Sequence, residues 1–466
     1  MHRLRIIYLI LVLLPFGVSS QVPASLAGKW WFAMLEEASL PLNLTFASED
    51  GALRPYFYSP LQSPEPLGLS SWSFEHDTLR YVDKSIGVRL VLVWDSADTS
   101  FTGSFRQGLL RATLHFTPSD GMFRLERPQE PKPPFPYTER EITVEGKDTD
   151  VVLAGTLTIP HGTVPRGGWP AVVLVSGSGQ QNRDEELLGH KPFAVLADYL
   201  TRGGIAVLRY DDRGVGGSRG DYMNATTLDF ADDAEAVFDF LCKQKEVNPN
   251  RVGIIGHSEG GVIAPIVASR NKKVAFIVLL AGPATTGADI LLQQNQRIFE
   301  LEGLPDSLIK IRLDALRQIF GAIDSIAESE YERVFINIYN AVAADLTSEQ
   351  RKAAGLRKAD AMAMANQMAM PWMQTFLTLD NRTYLCSTKC PILAINGSKD
   401  CQVPPLNLEA IKSATKGKAK CRLFEGLNHL MQHCQSGAVS EYMQIEETMA
   451  PEVMQCIKEF VDSQKR

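Results

Sequence analysis

The chain has 466 residues, of which 45% are hydrophobic and 22% are charged, and its formal net charge at pH 7 is -7. This length predicts about two or three domains, each able to bury a core, and the composition is typical of folded globular proteins. The acidic balance, with no basic run beyond the first residues, gives no support to nucleic-acid binding.

The N-terminus has the pattern of a secretory signal peptide. Arg3 and Arg5 precede an apolar stretch over 6–18, and small residues lead to Ser20. This apolar stretch is shorter than the roughly 17 to 25 residues that cross a bilayer, which favours cleavage after Ser20 over a membrane anchor. We therefore expect residues 1–20 to be removed, and the mature protein to be periplasmic or secreted without stable membrane insertion.

Residues 21–127 have the pattern of a small all-β domain, either a barrel or a sandwich. Short runs rich in β-branched and aromatic residues follow one another, and helical periodicity is scarce. The predicted strands are 29–34, 40–46, 89–94, 103–107 and 109–116. Tryptophans in such a domain usually pack in the core, and a carbohydrate-binding platform is the alternative. The residues concerned are Trp30, Trp31, Trp72 and Trp94.

A proline-rich segment, 128–136, is expected to be an extended, semi-rigid linker. From 137 to 466 strands alternate with helices, which is typical of a mainly parallel sheet with helices on both faces. The strands 140–145 and 151–159 are predicted to pair antiparallel at a sheet edge. Later strands are predicted at 171–175, 205–210, 251–255, 274–281, 391–396 and 420–424, and helices at 191–202 and 226–243.

A long helical insertion, about 287–385, interrupts this alternation. Connections within such sheets are usually short, so the insertion is predicted to be a cap over the strand ends. Methionines cluster near its end and either line an acyl pocket or serve ordinary packing. They are Met362, Met364, Met368, Met370 and Met373.

The stretch Gly256-His257-Ser258-Glu259-Gly260 predicts a nucleophile elbow, a sharp turn from a strand into a helix. A serine there adopts a strained conformation, and bulky residues two positions to either side would collide across the turn. The hydroxyl of Ser258 should therefore lie at the top of a sheet, beside a helix N-terminus. From this stretch alone, a simple tight turn remains the alternative.

A serine nucleophile needs a base to take its proton and an acid to orient that base. His429 follows the last predicted strand and is the preferred base, with His433 and His190 as rivals. Asp400 lies in the turn after a predicted strand and is the preferred acid. Nucleophile, acid and base then follow one another in the order typical of α/β-hydrolases.

Acyl transfer also needs donors aimed at the oxyanion. The amide of Glu259, the residue after the serine, is one candidate. The second is the amide of Ser178, with Gly179 as the next choice, in the glycine-rich loop after the first parallel strand. That loop lacks the third glycine of a dinucleotide fingerprint and the lysine of a P-loop, so no cofactor is predicted. The glycine-rich stretch 211–218 is expected to shape the neighbouring loop.

A metal site is the alternative use of the C-terminal histidines. His429, His433 and Cys434 are close in sequence, but no second ligand pair at zinc spacing accompanies them, so no metal is predicted. The chain has seven cysteines, and an odd count leaves any disulfide pairing open.

Five motifs carry a resemblance to a known family: 176–184, 210–218, 256–261, 396–404 and 427–430. From about Arg140 onwards the chain resembles the exported esterase branch of the α/β-hydrolase superfamily, related to bacterial esterase D and to serine aminopeptidase-like and dienelactone hydrolase-like domains. The resemblance implies carboxylic ester hydrolysis by Ser258, Asp400 and His429. The region before 128 more weakly resembles the N-terminal domain that accompanies such esterases. Asn182 stands where the family has an aspartate.

The leading hypothesis is therefore a serine esterase that acts on a small-molecule ester and needs no cofactor. An aminopeptidase or amidase on the same triad is the second hypothesis, and it would need an acid such as Glu300 or Glu302 of the cap to hold a substrate amine. A glycan-binding module on an inactive hydrolase scaffold is the third.

Overall fold

The computed structural model describes residues 22–36, 40–49, 51–60, 65–108, 110–123 and 126–464. It divides the chain into two compact units, Met1–Glu126 and Arg127–Arg466. The predicted signal peptide, 1–20, lies outside the described residues. Among the residues that are described, no helix has the length and apolar character needed to cross a membrane.

The first unit is built on one antiparallel sheet. Its strands are β1 (Trp30–Leu35), β2 (Leu40–Glu49), β3 (Ala52–Tyr58), β4 (Ser71–Glu75), β5 (Thr78–Asp83), β6 (Val88–Asp95), β7 (Ser100–Gln107) and β8 (Leu110–Ser119). Their order is β3-β2-β1-β8-β7-β6-β5-β4, with antiparallel neighbours throughout. Because β3 and β4 end this order, the all-β domain is an open half-barrel, neither a closed barrel nor a two-sheet sandwich.

Most of the tryptophans of this unit lie in its apolar core or pack against it. Trp31 is buried and meets Phe101 edge-on, with 5.3 Å between ring centroids. Trp72 and Trp94 pack partly buried against the same core. Trp30 is half-buried at the sheet surface. Aromatic residues thus serve mainly to fill this small β core.

The second unit contains a mixed sheet of eight strands. They are β9 (Tyr137–Glu145), β10 (Val152–Pro160), β11 (Trp169–Val175), β12 (Ala206–Tyr210), β13 (Val247–His257), β14 (Ile277–Leu280), β15 (Ile392–Gly397) and β16 (Lys420–Phe424). The order is β16-β15-β14-β13-β11-β12-β10-β9. β10 pairs antiparallel with β9 and with β12, and all other neighbours are parallel. The predicted antiparallel pair at the sheet edge is confirmed.

Helices cover both faces of this sheet, as an α/β-hydrolase fold requires. In chain order they are α1 (Pro192–Arg202), α2 (Thr227–Leu241), α3 (Gly260–Arg270), α4 (Gly287–Leu301), α5 (Asp306–Ala322), α6 (Tyr331–Val342), α7 (Ser348–Ala353), α8 (Lys358–Met368), α9 (Pro371–Thr378), α10 (Asn381–Ser387), α11 (Leu406–Ala414), α12 (Val439–Tyr442) and α13 (Pro451–Ser463). Val172 and Val173, neighbours on β11, belong to different apolar clusters because successive strand side chains face opposite ways. Helices α2, α3 and α11 pack in one cluster, and α1 and α13 in the other.

Helices α4 to α10 form the predicted cap, inserted between β14 and β15. The cap has an apolar core of its own, in which Met368 and Met373 are buried beside Phe335. Two of the clustered methionines therefore serve cap packing. At its base, α9 contacts α2 and α10 contacts α3.

Part of the proline-rich segment is fixed to the second unit. The side-chain oxygen of Gln129 accepts hydrogen bonds from the amides of Thr448 and Met449, at 2.6 and 3.0 Å, and its amide nitrogen donates to the carbonyl of Met449 at 2.7 Å. This segment belongs to the unit that begins at Arg127. It is anchored at its start, whereas the sequence pattern suggested a linker over 128–136.

Candidate active site

The predicted elbow is a tight turn between β13 and α3. Ser258 has a φ of +52°, a backbone conformation that non-glycine residues rarely adopt. A Cβ atom on Gly256 would lie 1.9 Å from the carbonyl oxygen of Gly260, and one on Gly260 would lie 2.1 Å from that of Val175. The turn therefore requires glycine at both positions, and it leaves Ser258 partly exposed between buried neighbours.

The candidate base and acid are hydrogen-bonded to each other. Nδ1 of His429, in the loop after β16, lies 2.9 Å from Oδ2 of Asp400, in the turn after β15. Both side chains are buried. The other carboxylate oxygen of Asp400 accepts from the amides of Gln402 and Val403, at 2.8 and 2.9 Å. The backbone thus fixes the carboxylate, which fixes the ring and leaves Nε2 of His429 as its free nitrogen.

The residue before the serine connects this pair to the elbow. Nε2 of His257 lies 3.0 Å from the carbonyl oxygen of His429, and the two imidazole rings are 4.8 Å apart between centroids. On the other side, a Cβ atom on Gly177 would lie 3.1 Å from Cβ of Ser258. The elbow, the His429 loop and the glycine-rich loop after β11 therefore converge at the carboxyl ends of the parallel strands, where open α/β sheets bind ligands.

The rival histidines have other partners. His190 is buried, and its ring nitrogens lie 3.1 Å from the hydroxyl of Thr448 and 2.8 Å from the carbonyl of Tyr442. Burial lowers the pKa of His190 to about 4, so it is neutral at pH 7. His433 is exposed and lies 2.9 Å from the carboxylate of Glu447. His190 therefore connects the loop before α1 to the C-terminal segments of the unit, and His433 connects two of those C-terminal segments to each other.

The glycine-rich loop after β11 presents the predicted oxyanion donor. The amide of Gly177 donates to Oε1 of Glu185 at 2.8 Å. Ser178, the next residue, is exposed, and its amide has no acceptor within the described part of the chain. This backbone N–H therefore follows a glycine that is fixed by a hydrogen bond, and it is available to a ligand.

Glu259 has a second role that the sequence pattern did not indicate. Its side chain is buried, and Oε1 accepts from the hydroxyl of Thr227 at 2.6 Å and from the indole nitrogen of Trp372 at 2.7 Å. Burial raises the pKa of this carboxyl. Because Trp372 belongs to α9, the residue after the candidate nucleophile is bonded directly to the cap.

The second glycine-rich motif holds the first in place. Oδ1 of Asp212 accepts from the hydroxyl of Ser176, and Oδ2 from the amide of Gln181, each at 3.0 Å. Burial raises the pKa of Asp212 to about 8. Asp211 binds the guanidinium of Arg183 through both carboxylate oxygens, at 3.1 and 2.8 Å. The expectation that 211–218 shapes the loop beside the site thus has a structural basis in these two aspartates.

The cap glutamates and Asn182 have surface and loop contacts. Glu300 and Glu302 are exposed, and the carboxylate of Glu300 pairs with Arg297 at 3.0 Å. The side-chain oxygen of Asn182 accepts from the amide of Asp184 at 3.0 Å. A carboxylate could make the same contact, but it could not make the hydrogen bond that the side-chain nitrogen of Asn182 donates to the carboxylate of Glu186 at 3.3 Å.

No cluster of three or more metal-binding side chains occurs in the part of the chain that the structure describes. His429 is bonded to Asp400, and His433 to Glu447, so the two histidines have separate partners. Free thiols are present at Cys242, Cys386, Cys401, Cys421, Cys434 and Cys456.

A family model described as serine aminopeptidase, S33, matches residues 190–433, a stretch of 244 of the 466 residues. The chain belongs to this S33 family. Among its relatives is esterase EstD of Thermotoga maritima, which is 28% identical over 304 residues, 64% of this chain and 61% of EstD. The match thus covers about three fifths of the length of EstD.

Solved structures similar to this S33 chain include an esterase, Pf2001 of Pyrococcus furiosus. It is 16% identical, with a TM-score of 0.41, and the match covers 70% of this chain and 93% of that one. Proline iminopeptidase of Mycobacterium smegmatis is also 16% identical, with a TM-score of 0.42, and the match covers 70% of this chain and 98% of that one.

Proposed function

We propose that this protein is a serine esterase that hydrolyses small carboxylic esters through Ser258, His429 and Asp400. The observation that carries the proposal is the fixed His429–Asp400 pair, 2.9 Å apart, whose loop is hydrogen-bonded to the residue before a serine on a strained elbow. Such an arrangement serves nucleophilic acyl transfer on many folds. Membership of the S33 family and the similarity to EstD support the same reaction class.

The proposed reaction has two stages. The hydroxyl oxygen of Ser258 attacks the ester carbonyl while Nε2 of His429 takes its proton, and the imidazolium then protonates the departing alcohol. Water, deprotonated by the same nitrogen, attacks the acyl-enzyme and releases the carboxylic acid and the free serine. Asp400 keeps Nδ1 protonated and stabilises the transient imidazolium. No cofactor takes part in these steps.

The negative charge of each tetrahedral intermediate is proposed to rest on the amides of Glu259 and Ser178. Preorganised donors of this kind cost no reorganisation during the reaction, and the loss of one typically lowers kcat by about 10² to 10³. The Ser178 amide follows the hydrogen-bonded Gly177, and the Glu259 amide stands at the start of α3, where the helix dipole favours negative charge.

Amide cleavage on the same residues is the second candidate, favoured by the description of the family as serine aminopeptidases. An aminopeptidase needs a carboxylate to hold the substrate ammonium group. Glu300 is exposed and paired with Arg297, so its charge is already partly compensated. Esters, which need no such contact, fit the described site better.

Turnover of nitrophenyl acetate and butyrate, set against amino-acid nitroanilides, tests the proposal. We expect the wild type to prefer the esters, and Ser258→Ala to lower kcat by on the order of 10⁶. Ser413→Ala, which makes the same change at an exposed serine of α11, is the control and should match the wild type. Equal ester turnover by Ser258→Ala and wild type would refute the nucleophile, and turnover of amides alone would favour the aminopeptidase.

A further inference from the structure

We propose that Glu185 and His257 form a buried ion pair that positions the His429 loop and the oxyanion loop on either side of the nucleophile. This inference rests on the proposed function for the role of His429 as base. Neither residue touches the reacting atoms in this mechanism, so both are positioning residues.

Glu185 lies in the loop between β11 and α1 with its side chain turned inwards. Glu185 is 3% exposed, and its backbone angle φ is +50°. Oε1 accepts two hydrogen bonds, from the amide of Gly177 at 2.8 Å and from Nδ1 of His257 at 2.9 Å. Oε2 is buried and has no hydrogen-bond partner among the described residues. One carboxylate oxygen thus joins the oxyanion loop to the residue before Ser258.

The partners of His257 indicate its charge. Nδ1 faces a carboxylate oxygen, and Nε2 faces the carbonyl oxygen of His429 at 3.0 Å. A carbonyl oxygen only accepts hydrogen bonds, and the ionised carboxylate likewise only accepts. Both ring nitrogens satisfy these contacts as donors when His257 is an imidazolium, whose counter-ion is then the carboxylate of Glu185.

The electrostatic surroundings agree with this protonation state. Burial by itself would lower the pKa of His257, but the neighbouring Glu185 carboxylate outweighs burial and raises it, with a smaller contribution from Asp400. The titratable groups near the pair are Asp400 and His429 on the side of His257, and Asp212 on the side of Glu185. A small cavity beside the pair is otherwise lined by apolar residues: Pro192, Phe193, Leu280, Leu430, Met431 and Met449.

The pair has a consequence for catalysis. Its hydrogen bonds join three separate chain segments: the Gly177 loop, the elbow and the His429 loop. The ion pair thereby holds His429, the proposed base, in place beside the elbow.

Glu185→Gln removes the charge but keeps an oxygen that can accept from Gly177, and Glu186→Gln makes the same change at the exposed neighbouring residue as a control. Without a counter-ion the buried His257 should become neutral and lose one of its two ring N–H donors, which loosens the contact between the elbow and the His429 loop. Looser positioning should lower kcat by about 10², with little change in KM. The control should follow the wild type in both quantities.

Nitrogen-15 NMR of histidine-labelled protein detects the ion pair independently of ester turnover. The wild type should show two slowly exchanging ring N–H signals for His257, and Glu185→Gln should lose one. If Glu185→Gln does not fold, His257→Gln removes the same cation and should likewise lower kcat with little change in KM. Two ring N–H signals in a wild type that hydrolyses no ester would refute the proposed function and leave the ion pair intact. A single His257 ring N–H in the wild type, or identical kinetics of Glu185→Gln and Glu186→Gln, would overturn the inference.

Discussion

Ser258 stores backbone strain that its glycine neighbours make possible. A non-glycine residue at φ = +52° costs on the order of 1–3 kcal/mol and persists only when the surrounding structure imposes it. Here the close approach of the turn to α3 and to β11 imposes it. The missing side chains at Gly256 and Gly260 are what permit that approach.

The substitution Gly260→Ala tests whether the close approach of the turn to β11 requires a glycine. The added methyl would lie 2.1 Å from the carbonyl oxygen of Val175, so the elbow must shift. We expect the free energy of unfolding to fall by at least about 2 kcal/mol, as for other overpacked sites. Gly321→Ala is the control: its methyl meets open space near the end of α5, and the gain in helix propensity should stabilise by about 0.5–1 kcal/mol. Equal stability of the two variants in urea unfolding would contradict the steric account.

Local sequence patterns singled out Ser258 by its flanking glycines, and Asp400 and His429 by their places after predicted strands. The strained turn at Ser258 and the His429–Asp400 hydrogen bond agree with these patterns, and the catalytic roles stay predictions. Glu185 was not singled out, because nothing near it in sequence distinguishes a buried acid from its exposed neighbour Glu186. Its bond to His257 joins residues 72 positions apart, a relation that exists only in the folded chain.

At the scale of elements, the buried strands were the most predictable. β11 is apolar along its length and buried from its second residue onwards, because helices cover both faces of a parallel sheet. In the first unit, β3, β4 and β5 were not predicted. β3 contains Pro55, which β-edge strands tolerate, and β3 is an edge strand. The β4–β5 hairpin turns on His76 and Asp77, both with positive φ, in place of the usual Asn-Gly signal.

The contact between cap and elbow gives a prediction for α9. Trp372→Phe keeps an aromatic ring stacked on Phe376 but removes the indole N–H that bonds to Glu259. A buried carboxylate that loses one of two donors should lower the free energy of unfolding by about 1–3 kcal/mol. Because the same residue supplies a proposed oxyanion donor, kcat for esters should fall by about tenfold with KM little changed.

Trp169→Phe is the matched control for this change. The indole nitrogen of Trp169 has no hydrogen-bond partner in the described part of the chain, so its loss should leave kcat unchanged. If thermal unfolding and ester kinetics showed Trp372→Phe and Trp169→Phe to be alike, the cap contact would have no part in holding the elbow.

At the scale of the whole molecule, the length of the chain predicted two or three domains, and the structure divides the chain into two units. The boundary between them was harder to place. Five prolines over 128–136 indicate an extended segment, yet the second unit begins at Arg127 because Gln129 is hydrogen-bonded to the segment before α13. Those bonds join residues more than 300 positions apart. Proline content predicts extended backbone, whereas the packing partner of that backbone depends on the complete fold.

We propose that one serine, activated by one histidine, performs the chemistry of this chain. Labelling with a fluorophosphonate probe, followed by peptide mass spectrometry, identifies that serine, since the probe forms a stable adduct only with an activated nucleophile. The wild type should gain a single adduct on Ser258, and Ser258→Ala should gain none. An unlabelled wild type, or an adduct on another residue that persists in Ser258→Ala, would show that Ser258 is not the nucleophile.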